Sequence, residues 1–179
     1  MRVTIVCGSA DENGVTMRMC TSAAEVMRSN GHLAEIFMPS EMSIGHCRDC
    51  GSCDHDGCIL NDDMSEIYDS FSQADLLVLA TPIHFSGPSS IIKTVMDRFQ
   101  PYWGNKGLNH PGYCISLMCG GSKNPNFELT ERMIKAFCIT TGMGYRGSLQ
   151  IPDTDSGVED VKERVERFLI PFIEDTERS

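Results

Sequence analysis

Four cysteines fall within twelve residues: Cys47, Cys50, Cys53 and Cys58, in the stretch HCRDCGSCDHDGC. The spacing C-x2-C-x2-C-x4-C lets successive thiolates converge on one centre as the chain curls, and Gly51 and Gly57 ease that curling. The run is close to the compact bacterial ferredoxin pattern, in which the fourth cysteine serves a second cluster. No second set occurs in this sequence, so all four would bind one centre. Zinc usually takes two Cys pairs separated by a longer span. The candidates are therefore one 4Fe–4S cluster, which suits the spacing best, a zinc ion, or labile redox thiols. His46 and His55 flank the run, but four thiols already complete a tetrahedral set.

A second constellation precedes it. Residues 8–16 read GSADENGVT. Gly8 and Gly14 permit tight turns, and Ser9, Asn13 and Thr16 carry groups that can donate to an anion. A helix beginning near Val15 would aim free N–H groups and a partial positive charge into the loop, enough to seat a phosphate without a cationic side chain. The plainer reading is a strand-to-helix turn with its N-cap. The loop is not a Walker loop, because no Gly-Lys-Ser/Thr follows, and its glycine spacing does not fit a dinucleotide fingerprint.

The elements that must position these residues alternate along the chain. Apolar runs at 2–7, 33–38, 75–81, 113–119 and 144–151 are expected strands. The first, third and fourth are nearly continuous apolar runs, as parallel strands covered on both faces require. Amphipathic stretches at 15–30, 62–73, 88–102, 126–141 and about 156–175 are expected helices, the last with a stripe of Val158, Val161, Val165, Phe168, Leu169 and Phe172. Strict alternation predicts an α/β fold: a doubly wound, five-stranded parallel sheet of the flavodoxin-like kind, strand order 2-1-3-4-5, formed by a single domain over 1–179. Such a sheet binds its ligand at the carboxyl edge, between the first and third strands. Loops 8–15, 81–88 and 119–125 are expected there. Residues 39–61 are a long aperiodic loop holding the cysteine cluster. Because the second strand neighbours the first, that loop should leave the same sheet edge.

Composition sets outer bounds. In 179 residues, 15 Lys and Arg stand against 25 Asp and Glu, a formal net charge of -10. That balance argues against a nucleic-acid footprint and against anionic membrane surfaces. No apolar run approaches the roughly 18 residues needed to span a bilayer, and the start is too short for a signal peptide, so a cytoplasmic protein is expected. Nine cysteines cannot all pair within one chain. Cys7, Cys20, Cys114 and Cys138 fall in expected strands or helices and read as small core residues.

GSADENGVT resembles the GSxRxNGxT phosphate loop of the NADPH-dependent FMN reductase family. TPIHFSGPSSIIKTVMDR, residues 81–98, resembles that family's second flavin loop and the helix after it, and MCGGS, residues 118–122, resembles its third. The likeness implies a flavin-dependent oxidoreductase. Ser9, Asn13, Gly14, Val15 and Thr16 would lie at the FMN phosphate. Pro82, Ile83, His84, Phe85, Ser86 and Gly87 would wrap the ribityl chain and ring, and Cys119, Gly120 and Gly121 would contact the ring. One departure stands out: Asp11 and Glu12 replace the usual Arg and its often basic neighbour, and carboxylates suit a phosphate site only if they point to solvent. The cysteine run combined with these loops resembles the iron–sulfur flavoproteins of anaerobic bacteria and archaea, and CILNDDM, residues 58–64, resembles their CxxxDDM. In it Asn61 or Asp62 would cap the next helix and Asp63 would suit its positive end.

The likeness further implies a 4Fe–4S cluster beside FMN, a ferredoxin-type electron donor, a small-molecule acceptor, and a homo-oligomer, dimer or tetramer, with transfer across a subunit boundary. It also places the link after the third helix, with Tyr102 and Trp103, beside the flavin or a neighbouring subunit. The alternatives are an NAD(P)H-dependent FMN or quinone reductase without an iron–sulfur cluster, and a non-enzymatic flavin- or metal-binding module.

Overall fold

The five apolar runs form parallel strands, seen in a computed structural model that describes residues 1–54 and 57–177. His55 lies outside the described residues. The strands are β1 (Arg2–Cys7), β2 (Leu33–Phe37), β3 (Leu76–His84), β5 (Tyr113–Cys119) and β6 (Gly144–Ile151), in the order β2-β1-β3-β5-β6. That is the expected 2-1-3-4-5 arrangement, with one addition. A two-residue strand, β4 (Gly87–Pro88), pairs antiparallel with the end of β3. β3 therefore runs three residues beyond its expected end.

Helices cover both faces. α1 (Val15–Ser29) and α6 (Val161–Glu177) pack on one, where Met19, Met27, Val165 and Leu169 meet Ile5, Val78 and Leu117. α2 (Met64–Gln73), α3 (Ser90–Arg98), α4 (Pro101–Gly104) and α5 (Glu128–Thr141) lie on the other. There Ile67, Phe71, Phe99 and Phe137 meet Leu77, Leu79 and Met118. The apolar periodicity thus placed α1, α2, α3, α5 and α6, because each must bury one stripe against the sheet, although Val158 of the expected last stripe lies before α6.

Two boundaries differ from expectation. The stretch 88–102 is two helices, because Pro101 cannot continue the hydrogen-bond ladder of α3 and instead opens α4. The last helix begins at Val161, after a short 3-10 turn at Thr154–Ser156 that ends on Gly157 at φ 89°. Gly142 ends α5 in the left-handed conformation, φ 85°.

Among the described residues no helix is long and apolar enough to cross a membrane. Cys7, Cys20, Cys114 and Cys138 are all buried, as small core residues should be. Cys20 pulls the Cys7 thiol down to about 7 by hydrogen bonding to it, and its own thiol is pushed up.

Candidate functional site

The carboxyl ends of β1, β3 and β5 gather three loops, and short hydrogen bonds join the first two. The Gly8 N–H donates to Ala80 O at 2.7 Å, and the Ser89 hydroxyl donates to Gly8 O at 2.6 Å. Ser89 also caps α3 by accepting from the Ile92 N–H at 3.3 Å, while its own N–H donates to Thr81 Oγ1 at 2.9 Å. A Cβ on Gly8 would lie 2.3 Å from Ile92 Cγ1 and 2.8 Å from Ala80 O, so only glycine lets the loop sit this close. The third loop is held by a segment outside the sequence-based site: Thr154 N–H donates to Gly120 O at 3.1 Å, and Asp153 N–H to Ser122 O at 2.8 Å. A Cβ on Gly121 would meet the Asp155 carboxylate at 2.5 Å. Nothing in the composition of 152–157 marks this contact.

The first loop is organised around Asp11. Its N–H donates to Ser9 Oγ at 3.1 Å, its Oδ1 accepts from the Asn13 N–H at 2.9 Å, and its backbone O accepts from the Gly14 N–H at 3.2 Å. Asp11 is solvent-exposed, yet its carboxylate folds back onto the loop rather than standing clear of it. Glu12 is exposed. Gly14 is the N-cap of α1, and the first turn of α1 carries no acid. The N–H groups of Val15, Thr16 and Met17 have no carbonyl ahead of them in the helix to accept them. The Thr16 side chain differs from expectation. It is buried, and its hydroxyl faces Cys119 Sγ at 3.1 Å. Thr16 can therefore offer an anion its backbone N–H, whereas its hydroxyl belongs to the packing between α1 and β5. Burial pushes the Cys119 thiol up.

The second loop is a tight hairpin. His84 pairs with Gly87 across Phe85 and Ser86, whose φ angles are 50° and 66°. Both central residues are left-handed, as in a type I′ turn, which normally calls for Asn-Gly. Phe85 is fully exposed, and Ser86 is fastened through its O, which accepts from the Thr130 hydroxyl at 3.3 Å. Pro82, Ile83 and Gly87 are half-buried and His84 is exposed.

The cysteine loop starts at the same sheet edge, with the Ser40 hydroxyl on Ser9 O at 3.3 Å. It then runs along α3 (Pro39 and Ile44 line one crevice with Ser90, Ile91, Thr94 and Val95) and is closed at its base. Asp63 Oδ2 accepts from the Ser43 N–H at 2.6 Å. Asp62 Oδ2 accepts from the Gly45 N–H at 2.9 Å and from Arg98 Nη1 at 2.6 Å; its Oδ1 accepts from Arg98 Nη2 at 3.0 Å and from the Met64 N–H at 3.2 Å. The N-cap residue of α2 is Asp63 rather than the expected Asn61 or Asp62, although the Asp62 carboxylate does take the Met64 N–H of the first turn; Arg98 is a partner that sequence reading missed. Arg98 Nη1 also donates to Gly45 O at 2.8 Å. The Arg98 side chain is 1% exposed. Burial alone would lower its pKa, but hydrogen bonds to Asp62 and Cys58 outweigh this and raise it. The Arg98 guanidinium in turn holds the Asp62 carboxyl below its usual range.

Beyond this base, Asp49, Gly51 and Gly57 turn the chain with φ of 48°, 69° and 85°. Cys47, Cys50, Cys53 and Cys58 line one cavity of about 150 Å³, together with Gln100 and Trp103. No three His, Cys, Asp or Glu side chains among the described residues lie close enough together to hold a metal ion as they stand. The donor set still fits a thiolate-ligated centre. Four cysteines line one cavity, and at the base of their loop Arg98 Nε is buried without a hydrogen-bond partner. The Cys50 thiol is lowered by the backbone N–H of Ser52.

Two expectations about position change. Tyr102 is buried in the core, and Trp103, 68% exposed, sits at the cysteine cavity rather than at the flavin loops. The two candidate centres also lie at opposite ends of α3. Ser89 ties one end to Gly8, and Arg98 ties the other to Asp62. The nine residues of α3 span about 13.5 Å. A larger cavity of about 620 Å³, bounded by Arg2, His32, Leu33 and Gln73, contains none of these residues.

The sequence model of the family described as NADPH-dependent FMN reductase matches residues 1–153. The chain belongs to that family. It is a flavin-dependent oxidoreductase. Among curated relatives of this family member, an iron-sulfur flavoprotein of Methanosarcina thermophila is 29% identical over 147 residues, covering 80% of this chain and 75% of that one. One of Archaeoglobus fulgidus is 27% identical over 165 residues, covering 90% and 74%. The fold matches an NAD(P)H:quinone oxidoreductase from Methanothermobacter marburgensis with TM-score 0.74 at 14% identity, covering 93% of this chain and 96% of that one. It also matches a flavone reductase with TM-score 0.71 at 20% identity, where the chain spans 99% of its own length but only 64% of the neighbour's.

Proposed function

We propose that residues 1–179 act as one flavodoxin-like unit that carries electrons between a 4Fe–4S centre and FMN. The observation that carries this reading is the shared cavity: Cys47, Cys50, Cys53 and Cys58 open onto one space, at the far end of α3 from an anion-binding loop. Likeness to the iron-sulfur flavoproteins supports it. Bound in these places, the flavin would supply two-electron chemistry and the iron–sulfur centre one-electron chemistry.

The chain's part is to bind and orient. The N–H groups of Val15, Thr16 and Met17, with Ser9, Asn13 and Gly14, hold the phosphate without a cationic side chain. Pro82, Ile83, His84, Phe85, Ser86 and Gly87 form one wall for the ring, and Cys119, Gly120 and Gly121 the other. Cys47, Cys50, Cys53 and Cys58 are the four thiolate ligands. A reduced ferredoxin-type protein delivers two electrons singly, and with two protons from water these match one two-electron reduction of a small-molecule acceptor. In this reading the unit is a homo-oligomer, dimer or tetramer, with transfer across a subunit boundary.

The open spacing of the thiols supports a second reading, an NAD(P)H-dependent FMN or quinone reductase without the cluster. Anaerobic purification decides between them. The first reading expects FMN with about four iron and four sulfide per chain, and loss of iron on replacing any one of the four cysteines by Ala. Flavin without iron supports the second reading and overturns the first.

A further inference from the structure

We propose that Arg98 is a positioning residue for the cysteine centre: its buried guanidinium closes the base of the loop that carries Cys47 to Cys58, and raises the reduction potential of the centre the four thiolates hold. This rests on the iron–sulfur reading above.

The geometry gives Arg98 two duties. The first is mechanical. Nη1 and Nη2 reach the Gly45 carbonyl and both Asp62 oxygens, so one planar fork spans the start and the end of the cysteine loop. Lysine has no such fork. The backbone end is fixed as well, because the Tyr68 hydroxyl donates to Arg98 O.

The second duty is electrical. Arg98 Nε is buried and meets no acceptor, an arrangement that folded proteins rarely leave unexplained. The guanidinium is bonded two residues before Cys47, at Gly45, and four residues after Cys58, at Asp62. A thiol is a weak acceptor, whereas a metal-bound thiolate is an anion and a good one. A centre with four thiolates is negatively charged, and reduction adds a further negative charge. A cation shielded from solvent nearby favours the reduced form. Hydrogen bonds to the sulfurs shift the potential in the same direction. Asp62 partly cancels that charge, so the two members of the pair should act in opposite directions.

The test is a redox titration of the anaerobically purified protein, followed by the electron paramagnetic resonance signal of the reduced centre. Iron and sulfide are measured on every sample. Arg98→Gln is expected to weaken the centre's affinity for an electron about tenfold, a fall of about 59 mV for a one-electron couple. Arg98→Lys should recover most of the shift by restoring charge, and Asp62→Asn should move the potential upward. Tyr68→Phe, which loosens the backbone of Arg98 without changing charge, should leave it in place. An Arg98→Gln protein with full iron and an unmoved potential overturns the inference and leaves Arg98 a staple only. If that variant fails to assemble, Asp62→Asn decides, and a wild-type potential in that variant with full iron overturns it equally. Wild-type protein without iron overturns the cluster reading, and this inference with it.

Discussion

Asp62 and Arg98 meet in a two-point ion pair, with Oδ2 2.6 Å from Nη1 and Oδ1 3.0 Å from Nη2, across 36 residues of sequence. The Arg98 side chain is 1% and that of Asp62 14% exposed, so little solvent screens the pair. Asp62→Asn leaves a buried guanidinium uncompensated and should cost about 3 kcal/mol of folding free energy at pH 7. The sign with pH follows from the Asp62 carboxyl, which its hydrogen bond with Arg98 holds below the usual range. Its contribution is fully present above the unfolded carboxyl pKa of about 3.9 and is lost as pH falls through the lower folded value. Urea unfolding should show the wild-type advantage shrinking below about pH 4; an advantage constant down to pH 2 would mean that the carboxyl does not supply it.

The hairpin at Phe85 and Ser86 stores backbone strain. Each left-handed non-glycine residue costs roughly 1–2 kcal/mol, and glycine gives back about 0.5–1 kcal/mol through its freer unfolded chain. Ser86→Gly should therefore stabilise the flavin-free protein by about 0.5–1 kcal/mol. The contact from Thr130 is kept, because it lands on the Ser86 backbone. A fall in midpoint urea concentration would show that the turn holds no such strain.

Asp11 decides how well the first loop tolerates a phosphate. Asp11→Asn keeps an oxygen for the Asn13 N–H and removes one negative charge from an exposed loop. FMN affinity should rise by about fivefold, near 1 kcal/mol. Riboflavin, which lacks the phosphate, should bind as before. Equal gains for both ligands would separate the carboxylate from the phosphate.

Trp103, the single tryptophan, lines the cavity of the four cysteines. Its fluorescence should be low in the iron-loaded protein and rise when a chelator strips the iron under denaturant-free conditions. Adding FMN to the protein stripped of both groups should change it far less. Quenching by FMN alone would move Trp103 back to the flavin side.

The sheet and helices were legible because burial on both faces leaves continuous apolar runs and burial on one leaves a 3.6-residue stripe. The three glycine-rich loops were legible as a sheet edge for the same reason. The β3–β4 hairpin was not, since Phe85 and Ser86 lack the Asn-Gly signature of its turn. The hydroxyl of Thr16 looked like an anion donor because sequence shows its type, not the Cys119 thiol 103 residues away. Arg98 was hidden likewise: at the end of an amphipathic helix it reads as a favourable C-terminal charge, and its acid lies in another element.

α3 also sets which length changes the molecule can absorb. Adding or deleting one residue within it would turn everything beyond by about 100° and shift it by about 1.5 Å. Ser89 would then keep its place at Gly8 while Arg98 swung away from Asp62. The cysteine loop is pinned at its base by Ser43, Gly45, Asp62 and Asp63, so residues gained or lost between Cys50 and Cys58 move neither anchor. A change of length between these cysteines therefore leaves the base of the loop undisturbed, whereas an insertion in α3 must be matched by one in the base it holds.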